Sequence, residues 1–128
     1  AFIRPKSPQT DVQFEYVDLD NASEPQLLDE VIGIQRMGEN FDRTIFVSLS
    51  RIGAIISKPR VYYLPTDDFD PGSPVFSPDG KLVGLSTVRV TDTDSSSFSY
   101  LSTIGESPVL QAILPAKDIK GSAAQIKE

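Results

Sequence analysis

The sequence predicts an all-β fold, a succession of short strands packed as a sandwich or barrel and closed by a short C-terminal helix. Three observations carry this expectation. Runs rich in β-branched and aromatic residues recur through the middle of the chain, each bounded by proline, glycine or acidic turn residues. Ser77-Pro78-Asp79-Gly80 separates two such runs, and it supplies a preset φ followed by a residue that tolerates φ > 0, which is hairpin-turn chemistry. After Pro115 the apolar spacing becomes helical, with Ala116, Ile119, Ala123 and Ile126 on one face.

In chain order, residues 1–30 are the least regular. Ala1-Phe2-Ile3-Arg4 reads as the tail of a strand, so the chain is expected to be part of something longer. Pro5, Pro8 and Pro25 then alternate with acids. Proline blocks ladder pairing and helix interiors, so this stretch is read as a strap, with one short strand over Val12–Val17. Val31–Met37 is the first clear strand. Thr44–Ser57 is a long β-branched run with Gly53 as a bend or bulge. Arg60–Leu64 follows and is stopped by Pro65, with Tyr62 and Tyr63 on opposite faces. Pro74–Phe76 and Lys81–Val90 flank the hairpin turn, Thr91–Ser99 is a polar, serine-rich loop, and Val109–Leu114 is the last strand. That makes about six strands and one helix.

Composition excludes several function classes. The 128 residues suit one domain and include no cysteine and no histidine. Disulfides, thiol catalysis, iron–sulfur clusters, cysteine or histidine metal sites and the commonest general base are therefore absent. The net charge of −6 repels phosphate backbones, and the basic residues Arg36, Arg43, Arg51, Arg60 and Arg89 are scattered singly, so no nucleic-acid partner is expected. No apolar stretch approaches the roughly 20 residues that span a bilayer. No cofactor is expected.

Pro74-Val75-Phe76-Ser77-Pro78-Asp79-Gly80-Lys81-Leu82-Val83-Gly84-Leu85 resembles the segment that follows the nucleophile loop of trypsin-like serine proteases, especially the HtrA/DegP-type branch. Three weaker likenesses fall in the family's order. Ala1–Arg4 resembles the segment after the catalytic aspartate, Asp29–Ile34 the opening of the second barrel, and Ala112–Ile119 its close. The resemblance implies a six-stranded antiparallel barrel over 31–114, the second of the family's two. It is preceded by the end of a strand and an inter-barrel strap over 1–30, and followed by a helix over 115–128. It further implies that an upstream barrel carries the histidine, that the aspartate lies between the barrels, and that the protein is exported, as to the bacterial periplasm.

The pattern breaks at the nucleophile. The family has a serine three residues before Pro74, where this chain has Pro71, which lacks both a nucleophile and a backbone N–H. Read with a shortened loop, Ser73 becomes the candidate nucleophile, but the second oxyanion donor then falls on Pro71. Asp70-Pro71-Gly72-Ser73 otherwise reads as a plain β-turn. The resemblance places Thr87-Val88-Arg89 on the strand that pairs with a peptide main chain, with Arg89 narrowing the adjacent pocket; an ordinary barrel strand is the simpler reading. Asp67, Asp68 and Asp70, and likewise Asp92 and Asp94, are read as solvated acidic loops rather than calcium ligands.

The expected function is thus a protease-like half-domain that lacks catalysis and has a structural or peptide-binding role. Its partner would be an upstream barrel, another protein chain or an extended peptide. The alternative is an active serine endopeptidase in which an upstream barrel supplies His and Asp to Ser73. A half-domain is also expected to expose an apolar patch.

Overall fold

The computed structural model describes residues 11, 13, 15–90 and 109–125. Six antiparallel strands form a closed barrel: β1 (Glu30–Arg36), β2 (Ile45–Ile56), β3 (Tyr62–Pro65), β4 (Pro74–Phe76), β5 (Leu82–Val90) and β6 (Val109–Pro115). A helix, α1 (Ala116–Ala124), follows directly. Around the barrel the order is β1-β2-β3-β6-β5-β4, so two three-stranded meanders meet along two seams. One seam pairs Tyr63 of β3 with Ile113 of β6. The other pairs Ile32 and Gly33 of β1 with Phe76 and Val75 of β4.

The sequence dictates much of this locally. β1 alternates, with Val31 and Gly33 buried and Ile34 and Arg36 exposed, because successive residues point to opposite faces. The bulge expected at Gly53 is present: Ile52 opposes Pro65 and Ala54 opposes Leu64, leaving Gly53 as the extra residue. A second bulge leaves Val83 unmatched between the Val75↔Gly84 and Phe76↔Leu82 pairs. The Pro-Asp-Gly hairpin forms as expected. Gly80 adopts φ +82°, its N–H donates to the Ser77 carbonyl (2.8 Å), and the Ser77 N–H donates to the Lys81 carbonyl (2.9 Å). Hydrogen bonds from Lys81 and then Ser77 hold the Asp79 carboxyl below its usual range.

Val31, Ile52, Tyr63, Phe69, Val75, Val83 and Ile113 form the core. Of Tyr62 and Tyr63, the latter is buried, and burial pushes its phenol above the ordinary tyrosine range.

The strand expected over 12–17 does not form among its described residues; Glu15, Tyr16 and Val17 are exposed and outside any strand, because among the described residues no strand lies beside them. From Leu19 onward the strap lies on the barrel. The Ser23 N–H donates to the Leu82 carbonyl and the Leu28 N–H to the Ile52 carbonyl, both at 2.8 Å. Glu24 pairs with Lys117 at 3.0 Å, and Asp20 pairs with Lys120 of α1. Among the described residues no helix is long and apolar enough to cross a membrane. The tail at 1–4, the loop at 91–99 with Asp92 and Asp94, and Ile126 lie outside the described residues.

Candidate functional site

The segment between β3 and β4 holds the candidate nucleophile, and one aromatic side chain fixes it. Phe69 is 3% exposed, in the middle of an otherwise acidic run. Its ring lies over Gly33, where even a Cβ would come within 2.3 Å of a ring carbon. Its backbone is held on both sides: the N–H donates to the Gln111 side-chain oxygen (3.1 Å), and the carbonyl accepts from the Ser86 hydroxyl (3.2 Å). These bonds satisfy polar groups that would be costly to bury alone.

From this anchor the chain makes one tight turn into β4. Pro71 and Gly72 occupy its corner positions, Gly72 has φ +87°, and the Ser73 N–H donates to the Asp70 carbonyl at 3.0 Å, the pattern of a type II turn. The turn is stitched to β5: the Gly72 N–H donates to the Ser86 carbonyl (2.8 Å) and the Ser86 N–H to the Ser73 carbonyl (2.9 Å).

The chemical content of this arrangement is limited. An oxyanion hole needs N–H groups aimed at the reacting carbonyl. Here Pro71 has none, and those of Gly72 and Ser73 are already donated within the domain. Ser73 is 7% exposed, and its hydroxyl donates to the Gln35 amide oxygen at 3.3 Å. An amide oxygen is no general base, and the chain contains no histidine. Among the described residues no group of three or more acidic side chains converges as a metal site. Asp67 instead accepts a hydrogen bond from Thr66 at 3.0 Å.

Thr87, Val88 and Arg89 lie on β5, opposite Ala112, Gln111 and Leu110 of β6. Ser86 directs both its backbone groups toward the turn. By strand alternation Thr87 and Arg89 direct theirs toward β6, and Val88 directs its own toward the opposite edge. Past Leu85 no strand pairs with that edge among the described residues. Of the three, only Val88 can therefore offer main-chain bonds to an added peptide.

A cleft of about 520 Å³ also opens between the strap and α1, lined in part by Glu24, Tyr63, Lys117 and Lys120. Its charged groups are engaged with one another through the Glu24–Lys117 and Asp20–Lys120 pairs.

Sequence reasoning did not pick out Phe69, Gln35 or Gln111. The signal for Phe69 was present: a lone aromatic within Asp67-Asp68-Phe69-Asp70 has no reason to face water, so it marks an anchored loop. The glutamines carry no such signal, because only the assembled barrel turns them toward the turn.

No family model and no curated protein matches the chain. Among solved structures, the crystal structure of the MamO protease domain from Magnetospirillum magneticum (apo form) matches with a TM-score of 0.58 and 14% identity. The match covers 94% of this chain and 59% of that one, so the chain spans well under two thirds of the matched structure. At this identity the shared property is the fold: the chain resembles a trypsin-like protease-domain barrel.

Proposed function

We propose that the chain is the second barrel of a trypsin-like, HtrA-type protease domain that has lost catalysis and serves as a scaffold or as a binder of extended peptide. The observation that carries this reading is the Asp70–Ser73 turn. The sequence resemblance aligns it with the family's nucleophile loop, and the turn buries Ser73 and consumes the N–H groups of Gly72 and Ser73 in internal bonds. Each oxyanion donor lost costs about 100-fold or more in rate, so the arrangement forfeits most of what the fold offers an acyl transfer. The fold likeness to a protease domain over 94% of the chain supports the family part of the reading. The open edge at Val88 supports the peptide-binding part.

The test is a fluorophosphonate probe applied to the full-length protein, with adducts mapped by peptide mass spectrometry beside a reactive control protease. No adduct at Ser73 on a folded protein is the expected result. Labelling at Ser73 would mean that the turn opens into a working loop and that the protein is an active serine endopeptidase fed by an upstream barrel.

A further inference from the structure

The barrel is closed, yet β2 runs beyond it. β1 pairs with β2 along its whole length, from Glu30↔Arg51 to Arg36↔Ile45. On its other side β2 meets β3 only from Ile52 to Ile56. The stretch Ile45–Leu49 is thus a two-stranded ribbon with one side open: among the described residues, no strand pairs there.

Which backbone groups face that side follows from the bonds on the other. The N–H of Ile52 donates to the Asp29 carbonyl and its carbonyl accepts from Leu28, while the Thr44 carbonyl accepts from Met37, so even-numbered residues of β2 point toward β1. By alternation Ile45, Val47 and Leu49 direct their N–H and C=O groups outward. The same three residues carry apolar side chains that are 57%, 57% and 60% exposed, and Ile34, opposite Val47, adds to them. Natural edges are usually protected by lysine, proline or bulges. Residues 44–50 contain neither lysine nor proline, and their pairing with β1 runs without a register shift.

We propose that this edge pairs with the same edge of a second copy of the chain, antiparallel, about a two-fold axis through Val47. The pattern is self-complementary: Val47 meets Val47, and Ile45 meets Leu49, so each side chain finds an apolar one across the axis. The flanking charges raise no objection. The pairing ends at Ile45 and Leu49, because Arg43 turns off the strand with φ +52° and the Arg51 carbonyl already accepts from the Thr66 N–H at 2.8 Å; the two arginines are paired within the chain, Arg43 with Glu39 and Arg51 with Glu30 at 2.9 Å. A second copy fits better than a polar or charged peptide, because the edge presents apolar side chains at 45, 47 and 49 and another copy supplies the same three. This pairing does not rest on the protease reading, and its failure would leave that reading standing.

Sedimentation and cross-linking test it. The chain should sediment as a dimer at high micromolar concentration. Val47→Pro removes the two central bonds while leaving the β1 ladder intact, because the lost N–H faces outward. It should weaken dimerisation by about tenfold or more. Val47→Lys keeps the N–H but sets like charges face to face, and should also dissociate the pair. The chain has no cysteine, so Val47→Cys with a short bis-maleimide should cross-link far faster than Ser122→Cys on α1. A monomer throughout, or a dimer indifferent to both Val47 substitutions and cross-linked no faster at 47 than at 122, would overturn the proposal.

Discussion

Gly84→Ala should cost the fold about 3 kcal/mol or more, a large share of the stability of an ordinary domain. A Cβ at this position would lie 2.0 Å from the Leu114 carbonyl oxygen and 2.8 Å from its carbon. Both obstacles are backbone atoms, so no rotamer change can relieve the clash. Retreat would pull β5 from β6, whose register is continuous from Gly84↔Pro115 to Val90↔Val109. It would also disturb Ile113, whose methyl lies 2.9 Å from the same point. Denaturant unfolding followed by circular dichroism checks this. A midpoint shift worth less than about 1 kcal/mol would mean that the two strands sit further apart than described.

Phe69→Ala is the second large effect, expected at about 3–5 kcal/mol. The ring fills the space that Gly33 leaves empty, so truncation opens a cavity between β1 and the β3–β4 segment. Unlike Gly84→Ala, it should also act locally, because Phe69 is the fixed point from which the Asp70–Ser73 turn is hung. Protease cleavage within residues 67–72 should therefore rise by more than global destabilisation accounts for. Gln111→Ala, which removes only the bond to the Phe69 N–H, should cost about 1 kcal/mol. Equal cleavage in Phe69→Ala and an equally destabilised core variant would refute the anchoring role.

The fold was legible in the sequence where local chemistry decides structure. The Pro78-Asp79-Gly80 turn, the bulge at Gly53 and the helix after Pro115 each depend on a few adjacent residues, and each formed as expected. The short strand expected over 12–17 had the right alternation, but its described residues are placed beside no described strand, and pairing is a property of the whole sheet. The candidate site was half legible. Pro71-Gly72 announces its turn, since one residue presets φ and the other accepts +87°. That Ser73 would face Gln35, and that the Ser86 carbonyl would take up the Gly72 N–H, depends on contacts 14 and 38 residues apart, which no local pattern encodes. The peptide-strand expectation shows the same limit: Thr87, Val88 and Arg89 lie on β5, but only the observed register shows that one of the three faces the open edge.

The two seams that join the meanders differ in kind from the ladders within them. Tyr63↔Ile113 and the two pairs at Ile32 and Gly33 link residues 42 to 50 positions apart, whereas β1–β2 and β4–β5 are neighbours in the chain. Closing such distant segments costs chain entropy before any contact repays it, so the hairpins should form early in refolding and cylinder closure should set the rate. The reverse holds at equilibrium. Amide deuteration should reach the seam residues through partial openings that leave each meander intact, so that the molecule breathes as two half-shells on a common axis.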